Sequence, residues 1–88
     1  MTLEQLRVFV AIAEREHMTR AAAALHLAQS AASATVASLE AEYGVKLFDR
    51  VGRTIRLTPQ GAVLLDEARA VLLQADQVRR RMESLVAS

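Results

Sequence analysis

The 88-residue chain is one domain's worth of polypeptide, 52% hydrophobic but only 3% aromatic, with a formal net charge of +1 and no cysteine. That inventory excludes disulfides, thiolate zinc sites and a cysteine nucleophile, and no run approaches the roughly 18 consecutive apolar residues a membrane span needs. A chain this small buries a limited fraction of its surface, so a thin stability margin and core borrowed from a partner are expected.

The hydrophobic excess lies in Ala, Leu and Val, which favours packed helices over a sheet-rich core. The N-terminus scatters acid and base and lacks a basic n-region followed by an apolar stretch, so a soluble, cytoplasmic protein is expected. A pI of 8.4 falls short of the value above about 9 that marks a nucleic-acid binder by composition. The distribution of charge says more. Residues 1–44 set Arg7, Arg15 and Arg20 against Glu4, Glu14, Glu16, Glu40 and Glu42, whereas 45–56 set Lys46, Arg50, Arg53 and Arg56 against Asp49 alone.

Thr2 and Gln5 have capping-box spacing, and Leu3, Leu6, Phe9, Val10 and Ala13 recur at helical intervals as far as Glu14-Arg15-Glu16-His17, which predicts a first helix. Thr19 reads as the N-cap of a short second helix whose alanines let it lie flat on its neighbours. A third helix is predicted from about Ser30 to Tyr43, closed by Gly44. Its apolar stripe is Ala32, Val36, Leu39 and Tyr43, while Ser30, Ser33, Ala34 and Ala37 share a different, uncharged face.

Val45, Leu47 and Phe48, the turn Val51-Gly52-Arg53-Thr54 and the alternating Ile55-Arg56-Leu57 predict a small hairpin with arginine at its tip. Thr58-Pro59 then gives an N-cap followed by proline at the first helical position, so a long final helix starts there, about 40 Å from end to end. Along it Leu64, Ala68, Val71, Ala75, Val78, Met82 and Leu85 alternate steps of four and three, with Leu65, Leu72 and Val86 broadening the stripe. A lone helix seldom exposes so much apolar area, so pairing with the same helix of a second chain is expected, with Leu64, Ala68, Val71, Leu72, Ala75, Val78, Met82 and Leu85 in the seam. The division is a head at 1–58 and a stalk at 59–88.

Three short helices and a two-stranded hairpin follow the order of a winged helix-turn-helix, in which the third helix enters the major groove and the wing meets the backbone or minor groove. The expected fold is therefore mostly α: three helices, a two-stranded β-hairpin wing and a long linker helix. Leu3-Glu4-Gln5-Leu6-Arg7-Val8-Phe9, Ala13-Glu14, Thr19-Arg20-Ala21-Ala22, Leu25, Gln29, Ser33, Leu39-Glu40, Gly44-Val45-Lys46-Leu47-Phe48-Asp49-Arg50 and Leu57-Thr58-Pro59-Gln60-Gly61 together resemble the N-terminal signature of LysR-type transcription regulators. The resemblance spans nearly all of residues 1–61 in order and spacing. It implies a homodimer built through the linker helix, tetramers in a full-length protein, and a small-molecule effector bound by a C-terminal sensor domain. The sequence stops at Ser88, inside or just past the linker helix, so a fragment without that sensor is expected.

The family usually reads Ser-Gln-Pro-Ala at the start of the recognition helix, where this chain has Ala28-Gln29-Ser30-Ala31, and Ala34 stands where arginine or another long polar residue is common. Fewer long side chains therefore reach base edges. Gln29 is the leading candidate for direct readout, since a glutamine amide pairs bidentately with adenine. Ser33 and Thr35 are candidates for a base edge or phosphate, with local backbone bonding the alternative for Thr35; Ser30 and Ala34 offer van der Waals contact, including to thymine methyls. Thr19 and Arg20 sit at a helix start that suits a phosphate. Arg53 is the main electrostatic candidate in the wing, with Thr54 beside it, and Arg50 divides between DNA and an ion pair with Asp49.

Arg79-Arg80-Arg81 reads as a solvated face. His17 and His26 lack spaced carboxylate or cysteine co-ligands, so neither a metal nor another cofactor is expected. With no histidine paired to a serine and no glycine-rich phosphate loop, catalysis is not expected either. The competing reading is a protein-interaction module that dimerises as a coiled coil without binding DNA. The sequence-specific binding of double-stranded DNA on a roughly palindromic site is the reading that the resemblance favours.

Overall fold

A computed structural model describes residues 1–52 and 54–87. Its elements are α1 (Leu3–Arg15), α2 (Met18–Ala24), α3 (Gln29–Tyr43), β1 (Phe48–Val51), β2 (Thr54–Leu57) and α4 (Pro59–Ala87). The strands form one antiparallel hairpin in which Phe48 faces Leu57, Asp49 faces Arg56, Arg50 faces Ile55 and Val51 faces Thr54. The order is that of the winged helix-turn-helix read from the sequence.

The helix α1 opens on the capping box: Thr2 accepts from the Gln5 amide at 3.0 Å and the Gln5 side chain accepts from the Thr2 amide at 2.9 Å. It is the hub of the head, packing against α2, α3 and α4. Its Leu6, Phe9 and Ile12 are almost wholly buried, together with Ala21 of α2, Leu39 of α3 and Leu47 before the wing. Phe9 also meets Phe48 of β1, ring centroids 5.4 Å apart and tilted by 46°, a geometry that adds about 0.5–1.5 kcal/mol to simple area burial. One aromatic pair thus seats the wing on the central helix.

The start of α2 differs from the sequence expectation. Glu16 ends α1 in the left-handed region (φ 49°), which leaves only His17 to bridge the two helices, so α2 begins at Met18 and His17 is the N-cap. Its Nδ1 accepts from the Arg20 amide at 3.3 Å. Thr19 therefore lies inside the first turn, and its hydroxyl is not needed for capping. Between α2 and α3 the chain closes with Leu27 N–H on Ala22 and His26 N–H on Ala23, the paired bonds of a Schellman turn. His26 supplies the left-handed residue at φ 56°, where glycine is commoner.

On α3, Ala32, Val36 and Leu39 are buried as predicted, but Tyr43 is 47% exposed because the helix has by then run past the core. Gly44 ends it with φ 64°. Glu40 reaches forward to accept from the Leu47 amide at 2.7 Å, which fixes the strand approach to the end of α3.

The joint between wing and stalk is tightly built. Thr58, buried, donates its hydroxyl to the Lys46 carbonyl and accepts from the Gly61 amide at 3.0 Å, while its own amide donates to the Leu47 carbonyl at 3.0 Å. Gly61 faces the same carbonyl so closely that an added Cβ would lie 2.2 Å from the Leu47 oxygen. The 29 residues of α4 then run for about 44 Å, which accounts for the 53 Å long axis of the chain. Gly61→Ala is expected to lower stability by about 1–3 kcal/mol, or ~4–8 °C in melting temperature for each kcal/mol. A thermal melt matching the parent would mean that helix and carbonyl part without cost.

Candidate nucleic-acid interface

Burying Ala32, Val36 and Leu39 turns the opposite side of α3 outward: Gln29, Ser30, Ala34 and Ala37 are exposed and Ser33 is half-buried. None of the five carries a charge and none but Gln29 is long. The α3 N-cap is Ala28, which makes no side-chain cap hydrogen bond, so the helix presents its first turn uncapped on this side. Thr35 donates its hydroxyl to the Ala31 carbonyl at 3.1 Å. Of the two roles read for it, the local backbone bond is the one present in the free chain.

The start of α2 abuts the start of α3 at this face. The Thr19 hydroxyl donates to the Gln29 side-chain oxygen at 3.0 Å. Next to it, exposed Arg20 lines a polar groove of about 420 Å³ together with Arg15, Glu16, His17, Thr54 and Arg56. The groove exists because the Ile55 amide donates to the Glu16 carbonyl at 3.2 Å, which pins β2 against the bend between α1 and α2. Three arginines thus line one groove at the bend between α1 and α2, with Glu16 the single carboxylate among the described lining residues, and the Arg15 guanidinium also donates to the Ala11 carbonyl at 3.3 Å.

Arg15 and Arg56 did not stand out in the sequence as members of this cluster, since Arg15 belongs to α1 and Arg56 faces Asp49 across the hairpin. No ion pair forms between Arg56 and Asp49, and none between Arg50 and Asp49. Arg50 is exposed and lines a separate groove with Lys46 and Asp49, walled by Val36 and Ile55. Thr54 donates to the Val51 carbonyl at 2.9 Å and so closes the hairpin. Arg53, the wing-tip candidate, lies outside the described residues. Among the described residues no group of three or more His, Asp or Glu side chains is placed to hold a metal ion, and no helix is long and apolar enough to cross a membrane.

The far end of α3 has its own electrostatics. The N-terminal ammonium of Met1 donates to both Glu42 oxygens at 3.0 and 3.1 Å, which holds that carboxyl below the usual carboxylate range. Desolvation and the neighbouring Glu42 charge push the Tyr43 phenol up.

The predicted seam residues of α4 divide between two directions. Ala68 is 1% exposed and Leu65 9%, both inside the head's own core, with Leu64 and Leu72 packed partly against it. Ala68 is therefore enclosed within the single chain. Val71, Val78, Met82 and Leu85 are 41–56% exposed, and Ala75 is half-buried. At 3.6 residues per turn this free stripe is turned roughly 80° from the one that faces α1. Met1, Tyr43, Val45, Val63 and Leu64 continue it as an apolar groove at the base of the stalk.

Comparison with known proteins places these features. The profile of the bacterial regulatory helix-turn-helix proteins of the lysR family matches residues 3–62. The chain is 41% identical over 85 residues to an uncharacterized HTH-type transcriptional regulator of Azotobacter vinelandii, covering 97% of this chain and 59% of that protein. It is 48% identical over 75 residues to a probable hydrogen peroxide-inducible genes activator of Mycobacterium xenopi, covering 85% and 40%, and 40% identical over 83 residues to the transcriptional regulator XapR of Escherichia coli, covering 94% and 28%. The chain thus spans between a quarter and three fifths of the length of the curated relatives it matches.

Among solved structures, the DNA-binding domain of CbnR in its DNA complex superposes with a TM-score of 0.92 at 36% identity over 98% of this chain and 99% of that one. The DNA-binding domain of BenM in complex with catB site 1 DNA does so with a TM-score of 0.95 at 33% identity over 100% and 98%. By sequence profile, by relatives and by fold, the chain belongs to the lysR family of bacterial regulatory helix-turn-helix proteins.

Proposed function

We propose that this chain is the sequence-specific, double-stranded-DNA-binding part of a cytoplasmic LysR-type transcription regulator and that it has no catalytic role. The third helix enters the major groove through Gln29, Ser30, Ser33 and Ala34, Thr35 lies at its flank, and the arginines of the wing and of the groove beside it hold the phosphates. The observation that carries this reading is the slim, uncharged face of α3, joined by the Thr19–Gln29 hydrogen bond to the start of α2, whose Arg20 shares one groove with Arg15 and Arg56. A helix about 10–12 Å across matches a groove about 12 Å wide, and small leading side chains let its backbone approach the base edges closely. The likeness to domains solved on DNA supports the same docking, and nothing favours the alternative of an interaction module that leaves DNA alone.

Binding is expected to weaken steeply with ionic strength, because each neutralised phosphate releases counterions and contributes about 0.9 to the slope of log K against log salt. Arg56→Ala should reduce that slope by about one unit for every duplex tested. Fluorescence titration at several salt concentrations checks both points: salt-independent or absent binding rejects the DNA reading, and an unaltered slope in the variant removes Arg56 from the contact.

The exposed half of the α4 stripe supports a homodimer, since Val71, Val78, Met82 and Leu85 otherwise keep apolar surface in water at roughly 25 cal/mol per Å². A two-fold dimer brings its recognition helices to half-sites one helical turn or a multiple apart, hence a roughly palindromic target. Val71→Glu with Val78→Glu should shift the chain to monomers in sedimentation while its helical circular dichroism persists. A double variant that still sediments as a dimer would locate the pairing elsewhere.

A further inference from the structure

The hydrogen bond between Thr19 and Gln29 assigns a role that neither residue has alone. A glutamine amide is ambiguous: its oxygen accepts, its NH2 donates twice, and a half-turn about the last side-chain torsion exchanges them. In this chain the oxygen is engaged by the Thr19 hydroxyl at 3.0 Å, which leaves both N–H bonds of an exposed side chain facing outward. The surroundings favour that orientation over its reverse. The pair sits at the start of α3, whose uncapped first turn carries partial positive charge. That charge stabilises the amide oxygen on the inner side and disfavours the NH2 group there.

We propose that Thr19 is a positioning residue for base readout: it holds the Gln29 amide as a donor, so that Gln29 reads hydrogen-bond acceptors on the base edge. The major-groove edge of guanine offers two adjacent acceptors, N7 and O6, that of thymine one, and that of cytosine a donor. The adenine pairing expected from the sequence needs one acceptor site of the amide oxygen besides an N–H, and the Thr19 hydroxyl leaves that oxygen a single site while both N–H groups stay available. The balance therefore shifts towards acceptor-bearing edges, guanine first, with cytosine, which offers only a donor, the least favoured base under Gln29. Thr19 also removes rotamer freedom from a long side chain before DNA arrives, so less ordering remains to be done on binding. Because α2 starts one residue before Thr19, on the His17 cap, the hydroxyl is spared for this bond.

The inference rests on the DNA reading proposed above, and its test separates the two. Bound duplexes are selected from a random pool by the parent chain and by Gln29→Ala, Thr19→Val, Thr19→Ser and Gln29→Glu, each checked for a native thermal melt. The position that loses its preference in Gln29→Ala defines the base read by residue 29. A good bidentate contact discriminates there by roughly 5- to 150-fold. Thr19→Val is expected to reduce that discrimination by at least about threefold while the preferences at other positions stay as in the parent, and Thr19→Ser to restore it. Gln29→Glu keeps an acceptor for Thr19 but presents no donor, so the preference should move to a donor-bearing base, cytosine or adenine. If the parent enriches no motif, the DNA reading falls and this inference with it. If a motif appears but Thr19→Val leaves the defined position sharp, weakens all sequences alike, or Gln29→Glu keeps the parental base, the positioning role is overturned and the DNA reading stands.

Discussion

The packing of α1 against everything else is the constraint on which the structure depends. With so few aromatics, the head has one helix of large apolar side chains, and Leu6, Phe9 and Ile12 must serve as core for α2, α3, the wing and the stalk at once. The third helix meets α1 and α2 on the same side, so one buried stripe serves both contacts. That is why α3 closes the core with Ala32, Val36 and Leu39 and leaves its other side with no intramolecular duty. The outward face is small and uncharged through the residues chosen for it, but it is free because α1 bears the burial. Small alanines on α2 and α3 let both approach α1 closely, and the starts of α2 and α3 are thereby brought within one hydrogen bond of each other.

The second consequence of a small core is that α4 belongs to the head over its first turns. Leu65 and Ala68 lie inside it, and Arg69 reaches Glu14 at 3.2 Å, an exposed ion pair that contributes little on its own. Orientation comes instead from Thr58, whose hydroxyl and amide hold two successive carbonyls before β1 while it caps α4. The stalk therefore leaves the wing at an angle set by hydrogen bonds among buried groups, and those bonds resist bending because breaking one strands a polar atom out of water.

The elements were legible in the sequence because each carries local chemistry with one outcome: the Thr2 and Gln5 box, Gly44 after a periodic run, and Thr58-Pro59 before another. The order of those elements was enough to identify the winged architecture. What was not legible depends on long-range geometry. Thr19 read as a cap because hydroxyl residues favour helix starts, yet the bend at Glu16 moved the start upstream and gave the cap to His17. Arg15 and Arg56 lie 41 positions apart and meet around one groove only because Ile55 bonds the Glu16 carbonyl. On α4 a heptad repeat marks every apolar position alike, and periodicity cannot tell a stripe that meets its own head from one left for a partner, so Ala68 fell among the seam residues.

These features bear together on how such a domain distinguishes one site from another. On the proposed docking, a face in which only Gln29 is long offers few base contacts, each worth about 1–3 kcal/mol of discrimination, and the arginines near it would hold phosphates of any sequence. One head alone would then discriminate through few contacts. On that reading selectivity would come from fixing the few groups that read bases and, in the proposed dimer, from two heads meeting two half-sites together. The second requirement has force only if the spacing is rigid, since a loose linkage admits many registers. The buried hydrogen bonds at Thr58, the close contact at Gly61 and the uninterrupted α4 supply that rigidity from one end of the chain to the other. The joint with no direct access to DNA is therefore as much a determinant of sequence preference as the helix that enters the groove.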